Sequence, residues 1–228
     1  MKKNLRLTSE KKSPLIVGVL STKHGLSVLA RSKLPCEVVE LRLDHLFQDG
    51  ATFEEIQSAL LKKKHPTIVT ARHTSEGGVH RWQPGERASL LHKLLPSAEY
   101  FDIELSTMRE MRILRSQFPK TPLILSAHFF EHTPADDELA TLLERMLAKK
   151  PDIIKIACRC NSSSDLGRLA VLQYLNRDLP LSLMAMGELG CISRTMLPRL
   201  GARLVYGWLD QPTAPGQPSA RELRTQIP

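Results

Sequence analysis

Leu15-Ile16-Val17-Gly18-Val19-Leu20 is an unbroken run of aliphatic residues with one glycine and no polar side chain to face water on either side. A strand with one wet face alternates, whereas a continuous run belongs to a strand covered on both faces, as in a parallel sheet. Similar β-rich runs follow at 38–43, 67–70, 100–105, 123–126, 153–157, 181–186 and 204–207, with starts 23 to 33 residues apart. Each interval has room for one helix and two loops.

The stretches between the runs change to a helical period. Phe53, Ile56, Ala59 and Leu60 make one apolar stripe, and Leu139, Leu142, Leu143, Met146 and Leu147 make another. Thr52 followed by Glu55 is a capping-box pattern, 134–137 supplies acidic residues for a first turn, and a last helix starts near Ser219. Eight strands alternating with about eight helices specify an α/β chain, a (β/α)8 TIM barrel of a single domain over 14–228 behind a basic extension at 1–13. An open doubly wound sheet is the alternative. The first strand leads into VGVLSTKHG rather than GxGxxG, which argues against its dinucleotide-binding form.

The 228 residues carry 32 Lys plus Arg against 24 Asp plus Glu, a formal charge of +8, with 42% hydrophobic and 25% charged residues. That balance excludes a disordered chain and a disulfide-stapled mini-protein. The lysine clusters at 2–3, 11–12, 62–64 and 149–150 sit at a chain end or near helix ends, where they decorate solvent and complement helix dipoles. Aromatics are 5% and are not interleaved with basic residues, so no nucleic-acid partner is called for. Four cysteines, with one CxC at Cys158 and Cys160, give no metal-ligand spacing and read as small buried thiols. The N-terminus lacks a secretory apolar core and nothing approaches a membrane span, so the expectation is a soluble cytoplasmic protein.

In a barrel the chemistry collects at the C-terminal ends of strands. Charged residues concentrate there: Glu40 and Arg42, Arg72 and Glu76, Asp102 and Glu104, His128, Lys155 and Arg194. Lys155 lies between Ile153-Ile154 and Ile156-Ala157, and strand alternation puts it with Ala157 and Arg159 on one face. Facing inward, it would be desolvated and near arginines, which favours the free amine that attacks carbonyls. Alone, His128 reads as a core histidine; beside an amine nucleophile it becomes a candidate proton shuttle that Glu76 could orient. The other seven histidines read as surface. The loop Thr213-Ala214-Pro215-Gly216-Gln217 offers a hydroxyl and an amide to a polyhydroxylated ligand.

ELRLD, ARHTSEGG, FDIEL, SAHFF, DIIKIA, LMAMGELGCISR and YGWLDQPTAPGQ, in this order from about Pro14 onward, resemble the type I 3-dehydroquinate dehydratases, lysine-dependent enzymes of the shikimate pathway. The resemblance implies a barrel, usually a homodimer, without metal or organic cofactor. It implies that Lys155 forms the Schiff base, that His128 is the general acid/base, and that Glu76 supports the histidine. Glu40, Arg42, Arg72 and Arg194 would bind the hydroxyls and carboxylate of 3-dehydroquinate. Thr213 and Gln217 would close over it, and Met184, Met186 and Tyr206 would wall the pocket. Thr213 stands where the family commonly has Ser, Phe129 where Asp is frequent, and Tyr206 where Phe is frequent. The rival readings are another Schiff-base aldolase-type barrel, a basic nucleic-acid-binding module, and one half of a longer polypeptide, because the family occurs fused to shikimate dehydrogenase.

Overall fold

The computed structural model describes residues 13–107, 114 and 116–227, so the basic extension lies outside the described residues except for Ser13. Eight strands, β1 (Leu15–Leu20), β2 (Val38–Arg42), β3 (Thr67–Thr70), β4 (Tyr100–Glu104), β5 (Leu123–Phe129), β6 (Ile153–Arg159), β7 (Leu181–Met186) and β8 (Leu204–Trp208), run parallel in the order β7-β6-β5-β4-β3-β2-β1-β8. The two ends meet at a seam. There the Arg203 amide donates to the Leu181 carbonyl at 3.0 Å and the Leu204 amide to the Ser182 hydroxyl at 2.8 Å, so a side chain stands in for part of the ladder. The sheet curls into a nearly closed barrel with its helices outside, as the recurring apolar runs predict.

The described α-helices are α1 (Leu43–Gln48), α2 (Phe53–Lys62), α3 (Glu86–Leu94), α4 (Asp136–Leu147), α5 (Ser163–Leu175), α6 (Gly190–Met196) and α7 (Ala220–Gln226). The capping box at Thr52 and Glu55 opens α2, and Ser219 caps α7. The connection after β1 is a 3-10 helix, His24–Ala30, rather than an α-helix, while β2 is followed by two α-helices.

Inward side chains form two layers. Val17, Val38, Ile68, Tyr100, Ile124, Ile153 and Leu204 build an apolar floor. One step toward the C-terminal ends, the floor gives way to buried Glu40, Thr70, Asp102, Ser126, Lys155 and Ser182. Ile154, Ile156 and Cys158 belong to the outer core against the helices, so the face that strand alternation gives Lys155 and Ala157 is the one that points in.

Several boundaries and burials differ from the sequence reading. β5 runs three residues past Ser126, which puts His128 on the strand itself; Leu43 leaves β2 to start α1. Arg194 stands on α6 rather than at a strand end. Lys63 is no solvent decoration: its ammonium pairs with Glu99 at 2.6 Å, bonds the Thr67 hydroxyl at 3.0 Å and reaches the Ser97 carbonyl, tying the end of α2 to the barrel floor. His45, His65, His73 and His80 are half-buried rather than surface groups, and Cys191 is exposed, unlike the other three thiols.

Candidate active site

The polar layer is built around a buried ion network. Lys155 Nζ lies 3.0 Å from Asp102 Oδ2, 3.7 Å from Glu40 Oε1 and 4.1 Å from the centroid of the Tyr206 ring. Arg72 Nη1 reaches Asp102 at 3.1 Å, Glu104 at 3.0 Å and the Ser126 hydroxyl at 2.7 Å, while Arg87 Nη2 holds the other Glu104 oxygen at 2.6 Å. Thr70 and Ser126 donate to Glu40 and Asp102. Burial alone would raise the Asp102 carboxyl, but Arg72, Lys155 and His128 hold it well below the usual carboxylate range. The nearest charged groups to Lys155 are therefore carboxylates, not the arginines that the sequence reading put there.

β5 brings His128 to the next position around the cavity. Its Nδ1 lies 2.9 Å from Glu76 Oε2, and its backbone amide donates to the same oxygen at 3.0 Å. Glu76 sits on the 3-10 turn Thr74–Glu76, fixed by Gly77 in the left-handed region at φ 81°. A side chain there would also strike the Phe130 ring, which stacks beside His128. Burial pushes Glu76 up to about 7, against a hydrogen bond from the Ser106 hydroxyl that lowers it. Burial and then the Arg72 and Lys155 charges drive His128 well below its ordinary value, so the ring is neutral. With Nδ1–H donated to a carboxylate, Nε2 is the free lone pair.

Three further elements supply the rim. Arg42 is gripped by Asp44 through Nε at 3.0 Å and Nη2 at 2.8 Å. Arg194 reaches back from α6 to the carbonyls of Tyr206, Ala185 and Gly190. Among the described residues no carboxylate pairs with it, and burial lowers its pKa to about 10. A guanidinium this deep without a carboxylate partner has the chemistry to take an anion. The loop after β8 closes over it: Gly187 N–H donates to the Pro215 carbonyl, Gly216 (φ 71°) packs on Gly187 and Gly190, and Gln217 Oε1 accepts from the amide and hydroxyl of Thr213.

A lysine set against two carboxylates, a neutral imidazole held by Glu76, and an arginine with no carboxylate partner among the described residues thus share one cavity. The sequence profile of the type I 3-dehydroquinases matches residues 16–227. The chain belongs to the type I 3-dehydroquinase family. It is 32% identical over 217 residues to 3-dehydroquinate dehydratase of Methanothrix thermoacetophila, covering 95% of this chain and 92% of that one. Among solved structures, the 3-dehydroquinate dehydratase of Aquifex aeolicus VF5 is 28% identical with a TM-score of 0.77, covering 93% of this chain and 96% of that one. The enzyme of Geobacillus kaustophilus HTA426 shares the fold at a TM-score of 0.81 and 23% identity, covering 93% and 89%.

In this type I chain, all twelve site residues expected from the sequence line a single cavity: Glu40, Arg42, Arg72, Glu76, His128, Lys155, Met184, Met186, Arg194, Tyr206, Thr213 and Gln217. The sequence reading noted Asp102 and Glu104 as strand-end charges but gave them no part; the structure makes them the partners of Lys155 and Arg72. It passed over Ser106 and Arg87 altogether and gave Phe130, in SAHFF, no part. FDIEL carried the available signal for the acids, since a charge inside a buried strand requires a partner.

Proposed function

We propose that this chain, a hydro-lyase of the type I family, dehydrates 3-dehydroquinate to 3-dehydroshikimate through an imine on Lys155. The observation that carries the reading is the juxtaposition of Lys155 with the neutral His128–Glu76 pair beneath Arg194. Lys155 passes one proton to a neighbouring base and adds to the substrate ketone as the free amine; the proton returns to the carbinolamine oxygen, which leaves as water, so the positive charge of the iminium lies beside Asp102 and Glu40. The carboxylates that pair Lys155 also stabilise the intermediate.

The iminium draws electrons from the adjacent carbon. His128 Nε2 removes a proton there, and Glu76 stabilises the imidazolium that forms. The enamine then expels the β-hydroxyl, which takes the proton from His128 and leaves as water. Hydrolysis of the conjugated iminium returns the enone and the lysine. Arg194 is the group to hold the substrate carboxylate, with Thr213 and Gln217 on the ring hydroxyls, fixing the ring so that a single base serves both proton transfers on one face. Positioned acid/base catalysis supplies about 10² to 10⁴-fold, and the iminium supplies much of the rest.

Adding 3-dehydroquinate to the protein should generate the ultraviolet absorbance of a conjugated enone. Carbon–carbon cleavage products without that absorbance would favour an aldolase-type barrel instead. The same reading includes a cytoplasmic homodimer acting on a small molecule without nucleic acid. The family resemblance supports it; among the described residues no helix is long and apolar enough to cross a membrane.

A further inference from the structure

Ser106 lies in the 3-10 turn Leu105–Thr107 just after β4 and is exposed, with no role in the core. Its hydroxyl donates to Glu76 Oε1. The other oxygen, Oε2, takes both His128 contacts, the backbone amide and Nδ1. Each oxygen of Glu76 is therefore occupied from a different strand end, Oε1 from the β4 side and Oε2 from the β5 side. The remaining charges facing Glu76 are Glu104 and Asp102 on β4, which oppose its ionisation, and Arg72 after β3, which favours it.

We propose that Ser106 is a positioning residue that keeps Glu76 a carboxylate and thereby selects the tautomer of His128 that can act as a base. A carboxylate at Oε2 accepts Nδ1–H, which leaves Nε2 as a lone pair toward the substrate. A protonated Glu76 would instead donate to Nδ1. The ring proton would then sit on Nε2, and the base would be blocked without any atom moving far. Burial and the two acids on β4 push toward that blocked state. Ser106 opposes it by donating to Oε1 from the turn after β4.

This inference rests on the dehydratase reading, and its test separates the two. The pH profile of kcat/KM on 3-dehydroquinate is measured for the wild-type chain, Ser106→Ala and Ser106→Thr. The acid limb of Ser106→Ala should move up by about one pH unit, so that it is roughly tenfold slower below the limb and recovers toward wild type at high pH. Ser106→Thr, which keeps the hydroxyl, should restore the limb position. Loss by the same factor at every pH, an unshifted profile, or an equal shift in Ser106→Thr would overturn the role of Ser106. An inactive wild-type chain would instead overturn the function reading. If Ser106→Ala fails to melt cooperatively, Ser106→Cys, with its weaker donor, replaces it and should give a shift in the same direction.

Discussion

Arg194 carries a charge that no carboxylate among the described residues answers. Its hydrogen bonds go to three carbonyls, whereas Arg42, Arg72, Arg87 and Lys155 each have a carboxylate. A desolvated guanidinium without a partner is poorly placed for stability and well placed for an anion. Arg194→Gln should therefore lower kcat/KM by about 10² or more, chiefly through KM, as expected for a lost charge-assisted contact to a carboxylate. Steady-state kinetics with an unchanged KM would place the carboxylate elsewhere. Tyr206 shows a second uncompensated group: its hydroxyl is buried with no hydrogen-bond partner among the described residues. Removing it in Tyr206→Phe should stabilise the fold by about 1 kcal/mol while keeping the ring that Lys155 packs on, read as a higher midpoint in urea. A lower midpoint would mean that the hydroxyl has a partner in solution.

At the scale of elements, the sequence announces strands better than strand ends. The run Leu123 to Ser126 looks finished where the aromatic and polar residues begin, yet pairing with β6 carries β5 to Phe129. Alternation within β6 is legible because Ile154 and Ile156 mark the outer face against Lys155. What periodicity cannot carry is contact across the barrel: nothing local in FDIEL tells that Asp102 reaches a lysine 53 residues on. Nor does the lysine run 62–64 reveal that Lys63 turns inward to Glu99. The loop after β8 is the element most exposed to a single change. A Cβ on Gly216 would lie 2.1 Å from the Gly187 carbonyl oxygen in a backbone at φ 71°, whereas Gly50 at φ 77° has nothing within 4 Å. Gly216→Ala should cut activity at least about tenfold by unseating Thr213 and Gln217, while Gly50→Ala carries only the roughly 1 to 2 kcal/mol of left-handed strain. Equal effects of the two variants on kcat/KM would refute the close packing of the loop on α6.

For the whole molecule, the charges inside the barrel couple activity to stability. Burial raises Glu76 from 4.5 to about 7, so between those values the unfolded chain has released a proton that the folded one keeps. Folding stability from this group falls as pH rises through that window, by roughly 3 kcal/mol. His128 acts in the opposite sense: neutral in the fold and chargeable when unfolded, it removes stability as pH falls below its ordinary 6.5. Glu76→Gln lacks the first effect. Its melting temperature relative to wild type should therefore climb from pH 5 to pH 8 while turnover is lost, and a gap that stays constant or shrinks would contradict the burial argument. The barrel itself was legible from eight runs at regular spacing. Its closure through Ser182 at the β7–β8 seam was not, because a serine in a strand gives no sign of the neighbour it will bond.

The central claim is that Lys155 is the covalent nucleophile. Sodium borohydride added during turnover of 3-dehydroquinate should reduce the imine, and peptide mass spectrometry should then find the reduced adduct on Lys155 alone. The His128→Ala variant should still carry the adduct despite losing turnover by orders of magnitude. An adduct on another lysine, or none in an active enzyme, would contradict the account.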